Sequence, residues 1–229
     1  MLINHRRAFW YSLALLGSLI LVVVAVGRHP ASAAPQTTFP FVGRFDQQMY
    51  DAMDTLRSTP LTWLFRFLNV VGGGIVTIPL RAIVSLYLLV RRRWRRAGAF
   101  LLTWAASELL LTFLKAWFHR GRPPGTLVAI TGYSFPSGHA TAGAATAVAL
   151  VLALMLPGAK RRKWEWIAVG FAFVMAFSRV YLHAHWFSDV VAGVLLGSGI
   201  ALGSAALAIE IATLGLRRRP DQLAETTDA

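Results

Sequence analysis

The chain has 229 residues, of which 56% are hydrophobic and 14% charged, and it contains no cysteine. An ordinary soluble domain has roughly 45–50% and 25%, so this composition excludes a soluble globular domain, and the lack of cysteine excludes disulfides, thiolate nucleophiles and cysteine metal sites. A net charge of +13 could indicate nucleic acid, but the cations form short clusters between apolar runs, which suits topology and anionic lipid rather than a nucleic-acid face.

Six apolar runs are long enough to cross a bilayer: residues 8–26, 70–90, 97–117, 139–156, 166–180 and 189–209. The expected fold is therefore all-α, an integral membrane bundle of six transmembrane helices with an interfacial helical segment between the first two. Residues 1–38 form an anchor span and linker, 39–216 the membrane domain, and 217–229 a cytoplasmic tail expected to be disordered. The first run follows Arg6-Arg7 and precedes Ala31-Ser32-Ala33, a pattern shared with cleaved signal peptides. Its apolar stretch exceeds the usual 7–15 residues of such peptides, which favours a retained anchor. Next, Phe45, Met49, Met53 and Leu56 recur at helical spacing among Asp46, Gln47, Asp51 and Asp54. This predicts a helix along the outer interface or packed on its own spans. The Gly72-Gly73-Gly74 run lacks the Lys-Ser/Thr of a phosphate loop and instead allows close helix approach.

The basic clusters at Arg6-Arg7, 91–96, 160–163 and 217–219 occupy alternate connections. The positive-inside rule places them, and both termini, in the cytoplasm of a multi-pass plasma-membrane protein. Arg81 in the second run and Glu108 in the third fall at matching depth, where unpaired charges are costly, so they are expected to form a structural ion pair.

The outer connections gather chemistry. The third run ends in Lys115, followed by Arg120 and Arg122-Pro123; the fourth opens after Pro136-Ser137-Gly138-His139; the fifth ends in Ser178-Arg179, followed by His183, His185 and Asp189. Lys115, Arg122 and Arg179 suit a phosphoryl group, since a planar guanidinium binds two oxygens at once. Ser137 is an expected N-cap, and the Gly138 and His139 amides would add donors at a helix N-terminus. His185 and Asp189, four apart, share a face if that turn is helical; the carboxylate could then fix the tautomer of a nucleophilic imidazole, while His139 serves as general acid and then base. His183 with His185 forms an H-x-H pair open to a metal. However, metal phosphatases gather several carboxylates, and Asp189 is the one acid in the outer connections after the third span, so no metal is expected. His183 is placed outside direct contact with substrate, and His119 and Arg120 toward headgroups or water.

Lys115 to Arg122-Pro123 fits K-x6-R-P, residues 136–139 read P-S-G-H, and Ser178-Arg179 to Asp189 fits S-R-x5-H-x3-D. On these eleven positions the chain resembles the type-2 phosphatidic acid phosphatase superfamily over roughly residues 40–210. The resemblance implies His185 as a phosphohistidine nucleophile oriented by Asp189, and His139 as acid and base. It also implies Lys115, Arg122, Arg179, Ser137 and the Gly138 amide as phosphate ligands, with no metal or other cofactor. Its substrates include undecaprenyl diphosphate, phosphatidylglycerophosphate, phosphatidic acid and lipid A phosphates, so the partners expected are a lipid phosphate and the bilayer. Phe39, Phe41, Trp117, Tyr133 and Trp186 are candidate groove residues. Three alternatives use the same motifs: a lipid-to-lipid phosphotransferase, a non-catalytic lipid transporter and a haloperoxidase.

Overall fold

Proline and glycine mark several of the helix starts. The computed structural model describes residues 5–29 and 35–225; the Ala31-Ser32-Ala33 triplet lies outside the described residues. Within them the chain is all-helical: α1 (His5–Val26), α2 (Pro40–Thr55), α3 (Thr59–Val71), α4 (Gly74–Val90), α5 (Trp94–Phe118), α6 (Gly138–Leu154), α7 (Ala159–Tyr181) and α8 (Phe187–Glu225). Pro40 and Pro60 occupy first-turn positions of α2 and α3, where the missing N–H costs nothing. His119 ends α5 in the left-handed conformation, its N–H donating to the Lys115 carbonyl.

Three of these helices are long and apolar enough to cross a membrane: α1, α5 and α8. The run at 70–90 is not one straight span. It breaks at Gly72-Gly73, and α3 and α4 meet there at 43°, so together they make at most a fourth, bent crossing. Gly72 cannot be replaced there without movement, because a Cβ would stand 2.5 Å from Met175 Sδ and 3.2 Å from the His139 ring. α6 is apolar but only 17 residues long, and α7 carries Lys160, Arg161, Arg162, Lys163 and Glu165 in its first two turns. The segment before the bend holds two helices, α2 and α3, not one. At the other end, the tail expected to lose structure at Pro220 continues as α8 to Glu225.

α8 is the axis of the bundle. Its most apolar stretch is 61% buried, against 17% for α1 and 22% for α5, and it packs on α1, α5, α6 and α7. Small residues permit this: α6 is alanine-rich, and a Cβ on Gly197 would stand 2.4 Å from the Thr141 carbonyl oxygen. Without a hydrophobic gain between helices in lipid, such backbone approach carries the packing. Arg81, 2% exposed, reaches across to α5 and α6. Its Nη1 donates to Glu108 at 2.7 Å, its Nε to Thr146 Oγ1 at 2.8 Å and its Nη2 to the Ala142 carbonyl at 3.2 Å. Every face of the guanidinium is thereby engaged, which is what a cation at that depth requires.

Candidate active site

Chain direction brings the motifs to one end. α5 and α7 run toward that end and deliver Lys115 and Arg179 from their last turns; α6 and α8 run away from it and start with His139 and Asp189. Ser137 caps α6, its side chain accepting from the Ala140 amide at 3.5 Å, and its own N–H donates to the Asp189 carbonyl at 3.0 Å. The starts of α6 and α8 are thus tied together. The Gly138 and His139 amides belong to the first turn, which has no intrahelical acceptors to offer them.

His185 sits in the turn between α7 and α8, which folds back over the end of α7 through the Ala184 and His185 amides, both donating to the Arg179 carbonyl. Its two ring nitrogens have partners of opposite kind. Nδ1 lies 2.8 Å from the Ser134 carbonyl, which can only accept, and Nε2 lies 3.1 Å from Arg122 Nη1, which can only donate. The ring is therefore the neutral Nδ1–H tautomer with its lone pair on Nε2. Burial, with the Arg122 and Arg179 charges adding to it, lowers its pKa to about 3 against the pull of Asp189. The nucleophile candidate stays unprotonated at neutral pH.

Asp189 Oδ2 stands beside the same nitrogen, 3.6 Å from His185 Nδ1, and accepts from Ser134 Oγ and from the Trp186 amide. The Ser134 carbonyl is the nearer acceptor, at 2.8 Å, and Asp189 also shapes the turn that carries His185. Arg120 is a correction: it does not face headgroups or water. It is 7% exposed and donates from Nη1 to Asp189 and to Ser188 Oγ, and from Nη2 to Asp46. Asp46, read as interfacial, is 1% exposed.

Arg122 is held by the carbonyls of Thr131, Gly132, Tyr133 and Ala184, and Lys115 Nζ also donates to the Tyr133 carbonyl. Arg179 is fully buried. Its Nη1 donates to Asn69 Oδ1, while Nε and Nη2 have no partner in the protein. Buried donors of this kind call for an acceptor, and anionic oxygens are the natural one. His139 Nε2 bonds the Asn69 carbonyl at 3.0 Å, so Asn69 holds both His139 and Arg179. No motif pointed to Asn69 or Ser134.

His183 adopts a left-handed backbone (φ 52), stacks on Tyr50 at 3.9 Å and is approached by Arg57 at 3.2 Å; it belongs to the α2 contact. His119 packs edge-on against Tyr133. Phe39, Phe41, Trp117 and Tyr133 are exposed, but Trp186 is 1% exposed with its indole N–H on the Gly121 carbonyl, so it lines no groove. Among the described residues no group of three or more His, Asp or Glu could hold a metal ion.

A family model described as the PAP2 superfamily matches residues 96–212, just over half of the chain. The chain belongs to the PAP2 superfamily. The undecaprenyl-diphosphatase of Sulfolobus acidocaldarius is 29% identical over 188 residues, covering 78% of this chain and 84% of that protein. Phosphatidylglycerophosphatase B of Bacillus subtilis is 31% identical over 157 residues, covering 66% and 77%. Among solved structures, the transmembrane PAP2-type phosphatidylglycerolphosphate phosphatase of Bacillus subtilis has the same fold. It matches with a TM-score of 0.72 at 24% identity, covering 88% of this chain and 96% of that one. Both sequence relatives carry the names of phosphatases, and this PAP2 protein is a membrane-embedded phosphoric ester hydrolase. The PAP2 match starts at residue 96, so Asp46 and Asn69 lie outside it.

Proposed function

We propose that this protein hydrolyses a lipid phosphate or diphosphate on the outer side of the membrane through a phosphohistidine at His185, without a metal. The observation that carries the reading is the tautomer of His185: a buried neutral imidazole whose Nε2 lone pair faces the Arg122 guanidinium. In the first step Nε2 attacks phosphorus, the bond to the leaving oxygen breaks, and that oxygen takes a proton from His139, which enters the step as the imidazolium stabilised by the charge of the bound phosphate. The bond between His139 and the Asn69 carbonyl occupies Nε2, which leaves Nδ1 for this transfer. In the second step water gives a proton to His139, its oxygen attacks phosphorus, and the Nε2–P bond breaks to release phosphate. Lys115, Arg122 and Arg179 stabilise the equatorial oxygens, where charge accumulates.

Two relatives are named for undecaprenyl diphosphate and phosphatidylglycerophosphate, and these, with phosphatidic acid, are the substrates proposed here. The sidedness rests on charge: the basic clusters 91–96 and 160–163 follow the ends of α4 and α6 opposite to the site. The test is phosphate release by detergent-purified protein from a panel of these lipids, with chelator present. Activity should persist in chelator and fall by about 10³-fold or more in His185→Ala. A His185→Ala enzyme that still turns over overturns the nucleophile.

A further inference from the structure

His185 has cations on one side and a three-charge buried cluster on the other. Asp189 Oδ1 accepts from Arg120, whose Nη2 donates to Asp46 Oδ2 at 2.7 Å. Asp46 Oδ1 accepts from the Ser188 amide at 2.8 Å. Ser188 Oγ accepts from Arg120 at 2.7 Å and donates to Asp46 Oδ2 at 2.6 Å. Asp46 lies on α2, 142 residues from Ser188 in sequence. All three charged groups are buried, with Asp189 at 0% and Asp46 at 1% exposure.

A charge count shows what Asp46 adds. Attack by Nε2 leaves the imidazole ring cationic, because Nδ1 keeps its proton on the Ser134 carbonyl. Among the described residues the carboxylate beside that proton is Asp189, 3.6 Å away. Arg120, paired to Asp189 and buried with it, would by itself cancel that carboxylate, and the new ring cation would face only Lys115, Arg122 and Arg179. Asp46 cancels Arg120 in turn and returns the cluster to a net −1. In a site with little water this is felt more strongly than at a surface.

We propose that Asp46 and Arg120 are positioning residues of the phosphoryl-transfer step, acting through Asp189: Arg120 fixes the Asp189 carboxylate beside His185, and Asp46 keeps the cluster negative so that the phosphorylated ring is stabilised. α2 is then part of the catalytic unit and not only an interfacial cover. The inference rests on His185 being the nucleophile. It assigns to Asp46 an effect on the transition state and none on ground-state phosphate binding.

The test is Asp46→Asn, which keeps the size and one acceptor oxygen but removes the charge and turns the other acceptor into a donor. It is assayed in detergent with the panel lipid that the wild type hydrolyses fastest, with inorganic phosphate and orthovanadate as inhibitors. Vanadate can take an imidazole nitrogen as a fifth ligand in a trigonal bipyramid and so mimic the transition state, while phosphate reports the ground state. The expected result is a fall in kcat of about tenfold to a hundredfold, with KM and phosphate inhibition within about twofold and vanadate inhibition weakened in parallel with kcat. Asp46→Glu should restore most of kcat, and Asp51→Asn, on the exposed side of α2, should behave as wild type. Equal loss of phosphate and vanadate inhibition, or an unchanged kcat in Asp46→Asn, overturns the proposal. Should Asp46→Asn not be recovered folded, Asp46→Glu decides: it keeps the charge that the proposal requires and leaves Arg120 in place, so the vanadate-to-phosphate inhibition ratio should hold, and its collapse overturns the proposal. Turnover by His185→Ala would instead defeat the underlying mechanism, whatever Asp46 does.

Discussion

At the scale of single residues, the site is defined by what surrounds each ionisable group. His185 has its proton position set by one carbonyl and one guanidinium, and burial lowers its pKa to about 3, against about 6.5 in an unfolded chain. Between these values the unfolded chain binds a proton that the folded one does not, so stability rises with pH across this window. Relative to His185→Gln, the wild type should therefore lose additional stability as pH falls from about 6.5 toward about 3. Thermal melts of both proteins across that range would show it; parallel curves would mean that His185 is solvated. The same logic explains why Arg120 was misread. A basic residue just past a span end is usually an interfacial anchor, and its burial arises only when Asp46 arrives from α2, 74 residues earlier.

At the scale of elements, helix ends carry the candidate site and helix faces do the packing. The C-terminal turns of α5 and α7 and the first turns of α6 and α8 supply the charged groups, while the α6–α8 contact behind them fixes their spacing. That contact depends on a missing side chain at Gly197, where a Cβ would stand 2.4 Å from Thr141 O and 2.8 Å from the Ala145 amide nitrogen. Backbone atoms cannot swing aside as a flexible side chain would. Gly197→Val should therefore destabilise the protein by about 1–3 kcal/mol through overpacking. It should also lower activity without removing any group that touches phosphate. A thermal shift assay beside the phosphate-release assay checks this, and an unchanged melting temperature would show that the helices are free to separate. The bend at Gly72-Gly73 belongs to the same scale, bringing Asn69 at the end of α3 against His139 and Arg179.

At the scale of the whole molecule, the arrangement separates two kinds of positive charge. At the site end Arg120 and Arg179 are buried and Lys115 and Arg122 half-buried, whereas at the other end Arg91, Arg92 and Arg95 are exposed and Arg93 half-buried. The natural chain has no cysteine, so single cysteines report sidedness cleanly. Ala129→Cys, in the exposed loop beside the site, should react with an impermeant maleimide on intact cells. Ala159→Cys, at the start of α7, should react only after permeabilisation. The reverse pattern would place the site in the cytoplasm.

Sequence alone determined the class of chain, its helical content and most of the groups proposed to bind phosphate, because apolar run length and short motif spacing are local properties. Lys115 and Arg122 are seven apart, and His185 and Asp189 four apart; residues that close share a helix end or a turn in almost any packing. Only the tertiary structure decided which group holds which. The Ser134 carbonyl is the nearest acceptor to His185 Nδ1, Asn69 joins His139 to Arg179, and Asp46 faces inward to Arg120. These contacts join residues 51 to 110 positions apart. Which pairs meet is set by the bend after α3, the fold of α2 over the site and the close approach of α6 to α8; glycines mark where two of these can occur, but not which residues they bring together.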